Sequence, residues 1–323
     1  MSNPDARPDE MTCASEPASG VEIMTPREVP LGGLRAMTVR RTLPQRERSL
    51  IGAWCFADHY GPDLVADTGG MSVAPHPHTG LQTVSWLFTG EIEHRDSAGH
   101  HAMVRPGEVN LMTAGRGISH SEVSTAGTTQ LHGAQLWVAL PDAARDGDPG
   151  FEHYAPDPVT GPGWEARVFL GSLLEDTSPV TTHTPLLGAE LLLAAGASVT
   201  LDVDPAFEHG VLVDAGVLSV AGHETKPAEL AYVPVGRDRI ELTALGEPAR
   251  VLVLGGPPFG EAIVMWWNFV GRSHEEIVGF REEWQAQIDG DRLNDGRFGV
   301  PVDDPLPPIP APELPNARLR ERR

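Results

Sequence analysis

Cysteine is almost missing from this chain of 323 residues, which has only Cys13 and Cys55. Two are too few for a disulfide framework, so both are read as free thiols. Long apolar runs are missing too. Nowhere do about eighteen apolar residues follow one another, and Met1–Gly20 lacks the apolar stretch of a secretory signal. A membrane span is thereby excluded, and a cytoplasmic protein is the simplest reading. Cations are scarce: 24 Lys and Arg stand against 45 Asp and Glu, for a net charge of −21. Four of the arginines fall within Arg318–Arg323, so the rest of the chain is more acidic still. Such a body repels phosphate backbones, which excludes direct binding to nucleic acid and to anionic membrane surfaces.

What is present is an ordinary globular composition, 40% hydrophobic and 21% charged, which excludes wholesale disorder. The length is about twice the ~150 residues of a single domain, so two units are expected. The 35 glycines and 30 prolines favour many short elements joined by turns, and hence β structure. Residues 1–20 have no periodicity and are expected to be a disordered leader. A first β unit is expected over 21–145, with strands such as Thr83–Phe88, His101–Val104, Val109–Met112, Ile118–Val123 and Gln135–Leu140 between turn signals. A polar connection follows at 146–165, then a second β unit over 166–290 that loosely echoes the first. Close-set strands with tight turns suit antiparallel barrels or sandwiches. Ser273 stands three residues before Glu276, a capping box, and Ile277, Phe280, Trp284 and Ile288 share one face, which predicts a helix over 274–288. Residues 291–323 form a tail with seven prolines after Gly299, read as either an extended strap or a mobile end.

Six of the 13 histidines lie between His76 and His120. Their spacing carries the chemistry. Side chains at i and i+2 of a strand share a face, so His76-Pro77-His78 and His120-Ser121-Glu122 each deliver two ligands to one side of a sheet. Three imidazoles and a carboxylate suit a borderline divalent metal: iron(II) leads, with manganese, nickel, copper and zinc behind it. Four protein ligands on a six-coordinate ion leave two positions for O2 and substrate. Taken alone, His76-Pro77-His78 could be a solvated turn and His120 with Glu122 a polar strand edge; both pairs on strands of one barrel favour the metal. His94, His100 and His101 sit at hairpin turns and are read as surface residues. His59, His132, His153, His183, His209, His223 and His274 lack a partner at i+2 and default to core or surface roles.

The stretch from Phe56-Ala57-Asp58-His59-Tyr60-Gly61-Pro62 through His76-Pro77-His78-Thr79-Gly80 to Met112-Thr113-Ala114-Gly115-Arg116-Gly117-Ile118-Ser119-His120-Ser121-Glu122 resembles the pirin family of the cupin superfamily. The resemblance implies an all-β fold of two tandem cupin barrels (antiparallel β-barrel, or jelly-roll, domains), to which the periodicity adds the short C-terminal helix. It further implies one metal in the N-terminal barrel, with ligands at His76, His78, His120 and Glu122. The second barrel has no H-x-H; it carries Asp202, Asp204, Glu208 and His209 instead and is read as structural. Two departures from the family pattern stand out: Gln82, near the expected ion, stands where the family usually has Glu, and Met265-Trp266-Trp267-Asn268 replaces the usual Gly-Pro-Phe. The resemblance implies a quercetin 2,3-dioxygenase-type activity on a small aromatic substrate such as a flavonol, with Glu122 as the catalytic base. The alternative it implies is a metal-dependent redox sensor or regulator with a protein partner.

Overall fold

A computed structural model describes residues 20–31, 37–290 and 296–322. The leader expected at 1–20, with Cys13, lies outside the described residues except for Gly20. The chain forms two antiparallel β barrels of the same plan, as expected, and one long helix. In the first barrel a seven-stranded sheet runs in the order Gly150–Tyr154, Val109–Thr113, Leu81–Thr89, Gln130–Ala139, Trp54–Leu64, Met37–Leu43, Arg27–Leu31. Its four-stranded partner runs Ser72–His78, Ile118–Ser124, Ile92–Asp96, His101–Val104. The second barrel repeats this order, with Glu22–Met24, Leu230–Val233, Glu208–Ala215, Ala249–Gly256, Leu187–Leu193, Trp164–Leu170 and Val159–Gly161 in the large sheet. Ser198–Asp202, Arg239–Ala244, Leu218–Val220 and His223–Thr225 form the small one.

Alternation drives these strands. In Ile92–Asp96 the burial runs buried, intermediate, buried, intermediate, buried, so Ile92, His94 and Asp96 face the interior. Three segments depart from the expected boundaries. Glu22–Met24 adds its edge to Leu230–Val233 of the second barrel, and the expected connection at 146–165 carries Gly150–Tyr154 and Val159–Gly161. Each is too short to read in sequence and exists because a sheet edge receives it.

The two large sheets pack face to face. Trp86 stacks on Phe169 at 4.5 Å, and Trp54 Nε1 donates to Leu187 O and Gly255 O at 3.2 Å. Gly52 is required there: a Cβ would come within 2.7 Å of Gly256 Cα. A polar clamp sits in the same layer. His59 and His132 of the first barrel approach Asp214 Oδ1 of the second through Nε2, at 2.6 and 2.5 Å, and Arg250 Nη1 lies 3.5 Å from Oδ2. Burial raises the Asp214 carboxyl, but the hydrogen bonds from His132 and His59 outweigh it and hold the group well below the usual carboxylate range.

After the second barrel the chain returns to the first. The helix His274–Asp289 is capped by Ser273 Oγ, which accepts from Glu276 N at 3.2 Å. It buries Ile277 and Trp284 against the hairpin Val264–Trp266 and Phe269–Gly271. That hairpin bridges to Thr79 of the first barrel. The proline-rich tail is the strap of the two expected forms: Trp284 Nε1 donates to Ile309 O (2.8 Å), Ile309 N to Pro75 O (2.8 Å), and Ile263 pairs with Arg322. No described helix is long and apolar enough to cross a membrane.

Candidate metal centre

His76 and His78 lie on Ser72–His78, and His120 and Glu122 on the neighbouring Ile118–Ser124, with His120 directly opposite His76. Between His120 and Glu122 the register shifts, so Glu122 pairs with Val73, a bulge of the kind that re-aims a side chain. All four residues are buried, at 0–1% exposure. The structure brings His76, His78 and His120 together, with ligand atoms all within 4.8 Å of one another. Glu122 joins an overlapping triplet with His120 and His94. Its Oε1 also lies 3.4 Å from Ser85 Oγ, which donates to Gln135 Oε1 at 2.8 Å.

The ring tautomers follow from their partners. His76 Nδ1 donates to Ala74 O (2.9 Å) and His78 Nδ1 to Asn268 O (3.1 Å). A carbonyl only accepts, so in each neutral ring the lone pair belongs to Nε2. Burial keeps the rings neutral, lowering His76 to about 3 and His78 and His120 well below their ordinary value. The His78 and His120 Nε2 atoms are 3.0 Å apart. His120 Nδ1 meets His94 Nδ1 at 3.3 Å, and His94 Nε2 meets Asp96 Oδ2 at 3.2 Å. Burial raises Asp96, but bonds from His94 and His100 hold it below its ordinary value, as a carboxylate. In the tautomer where His94 donates Nε2–H to Asp96 and accepts at Nδ1 from His120 Nδ1–H, the His120 lone pair also lies on Nε2. Three Nε2 lone pairs therefore converge, two of them facing each other at 3.0 Å. His76 Nε2 has no hydrogen-bond partner among the described residues. A cation relieves this arrangement, and the donor set of imidazoles with one carboxylate fits a borderline divalent ion.

His94 corrects the sequence reading. Expected at the surface, it is 3% exposed and sits opposite Glu122 in the sheet. The inward alternation of Ile92, His94 and Asp96 was the available signal. Of the other two, His100 is held by Asp96 (3.0 Å) and His101 by Glu93 (2.6 Å), toward the outside. The Asn268 carbonyl that accepts from His78 Nδ1 was also missed, because a backbone group 190 residues from His78 leaves no side-chain signature. It sits in the turn after Trp267, whose φ of +52° is uncommon for a bulky residue. Gln82 is buried, and its Nε2 donates to Thr113 Oγ1 at 2.9 Å. In the second barrel Asp202 pairs with Arg239 (3.0 Å) and Asp204 Oδ1 accepts from Ala206 N (2.8 Å). The interior of Arg239–Ala244 offers Ile240 and Leu242 where the first barrel's Ile118–Ser124 carries His120 and Glu122.

Residues 36–138 match the family described as Pirin, and residues 188–288 match the Pirin C-terminal cupin domain. The chain is 42% identical to "Putative quercetin 2,3-dioxygenase PA1205" of Pseudomonas aeruginosa, over 98% of both chains. It is 36% identical to a pirin-like protein of Caulobacter vibrioides, over 85% of this chain and 94% of that one. Among solved structures, a quercetin 2,3-dioxygenase from Acinetobacter baumannii superposes with a TM-score of 0.86 at 40% identity, covering 94% of this chain and 98% of that one.

Proposed function

The chain belongs to the pirin family, and from that premise we propose that it is a single-metal oxygenase opening the ring of a flavonol with O2, in the manner of a quercetin 2,3-dioxygenase. His76, His78 and His120 would hold the ion through Nε2 and Glu122 through a carboxylate oxygen, with iron(II) leading over manganese, nickel, copper and zinc. When bound, the ion would supply Lewis acidity toward a hydroxyl–carbonyl pair and redox contact with O2. Glu122 would accept the proton of the flavonol 3-hydroxyl at a carboxylate oxygen, the work of a base within reach of the reacting group. The His120–His94–Asp96 series fixes the ring of His120, and the buried walls exclude water from the proton transfer. One flavonol and one O2 give one ring-opened ester and one carbon monoxide.

The convergence of three Nε2 lone pairs beside a carboxylate carries the reading. The test reconstitutes the chelator-stripped protein with iron(II) and incubates it with quercetin under air. Flavonol loss matched by carbon monoxide is the expected result; neither exceeding the metal-free control would refute the activity. A second reading, a metal-dependent redox sensor with a protein partner, is favoured by the tie between the ligand strand and the C-terminal segment: Ser121, whose side chain leaves the face opposite His120 and Glu122, donates through Oγ to Asp304. Pull-downs with ferrous and ferric protein separate the two. A partner retained by one oxidation state supports the sensor, and indifference to oxidation state counts against it.

A further inference from the structure

The second barrel holds a cavity of about 390 Å³, lined by Leu173, Leu187, Phe207 and His209, with Asp202 and Asp204 also on its lining. Its volume lies within the range of small-molecule sites. His209 is the unusual member. It is 1% exposed, yet neither ring nitrogen has a hydrogen-bond partner among the described residues. Buried polar groups are nearly always paired, and an orphan calls for an explanation. The ring is also given its place by the backbone: Gly255 is its cross-strand partner, and a Cβ there would meet His209 Cδ2 at 2.8 Å. Phe207 lies beside it with ring centroids 6.1 Å apart.

We propose that this cavity binds a small phenol bearing no negative charge, its hydroxyl on His209 and its ring among Phe207 and the leucines. Burial lowers His209 to about 4, so the imidazole is neutral near pH 7 and offers one donor and one acceptor. A phenolic hydroxyl both gives and takes a hydrogen bond and therefore matches either nitrogen, while the aromatic ring matches the apolar wall. Asp202 is paired with Arg239, so it is the exposed carboxylate of Asp204, together with the apolar wall, that disfavours an anion. The lining carries one imidazole and two exposed carboxylates in place of the imidazole set of the first barrel, which distinguishes this organic-ligand site from the metal centre.

The test is ligand-observed NMR titration of the metal-loaded protein with 4-methylphenol, beside 4-hydroxybenzoate. Saturable binding of 4-methylphenol, at least tenfold tighter than 4-hydroxybenzoate, is expected. His209→Ala should weaken it at least tenfold, and so should Ser172→Trp, which fills the cavity from an exposed rim position and leaves the core untouched. The double variant His76→Ala/His78→Ala should bind as the parent does. Absence of saturable binding, equal binding by Ser172→Trp, or loss of binding in the double variant would overturn the proposal.

Discussion

Glu190 gives a sharp test of the packing between the barrels. It is 7% exposed on Leu187–Leu193, with Arg250 Nε 3.6 Å from its Oε1. Burial pushes its carboxyl up from 4.5 to about 7, against the partial opposition of Arg250 and Arg167. A carboxyl whose folded pKa is raised binds its proton more tightly in the folded state. Its contribution is therefore full below about pH 4.5 and is lost as pH rises through about 7. At about 1.4 kcal/mol per unit, that interval corresponds to roughly 3 kcal/mol. Glu190→Gln keeps the shape and cannot ionise. Guanidinium unfolding followed by tryptophan fluorescence should show the variant gaining on the parent between pH 5 and pH 8.5, by up to roughly 3 kcal/mol. A stability difference that stays constant across that range would refute the argument.

Asp214 titrates in the opposite sense: its folded pKa is depressed, so its contribution is present above about 3.9 and lost as pH falls through the folded value. Asp214→Asn should cost roughly 3–5 kcal/mol at pH 7, with the deficit shrinking in acid unfolding curves below about pH 4. Trp284→Ala should cost roughly 3–5 kcal/mol in denaturant melts, since it removes a fully buried ring and the bond to Ile309 O that anchors the strap. His94→Ala and Asp96→Asn should each weaken metal binding roughly 10–100-fold in competition with a chelating dye, because they release the ring of His120.

Much of this architecture was legible in the sequence because strand chemistry has a period of two. His76 with His78 and His120 with Glu122 could be placed on shared faces, and the turn glycines marked where strands end. The same rule reaches Ile92, His94 and Asp96, but the turn that follows at Ser97-Ala98-Gly99, with His100 and His101 beyond it, masks the alternation at His94. Long-range edge pairing was harder to read. Glu22–Met24 contributes three residues to a sheet whose other strands lie more than 130 positions away, and nothing local specifies that. Prolines left the tail undecided because they preclude a ladder without revealing which groove receives the chain. The Ile309–Pro75 and Trp284–Ile309 bonds decide it. The Asn268 carbonyl belongs to the same class, a backbone group made specific only by tertiary position.

One ion held between the strands of His76–His78 and His120–Glu122 is central to the proposed chemistry. Elemental analysis of protein purified without chelator should find one metal equivalent per chain, lost in His76→Ala, His120→Ala and Glu122→Ala and kept in His183→Ala, a variant of an exposed histidine. Full metal content in the first three variants, with the fold intact by circular dichroism, would contradict it.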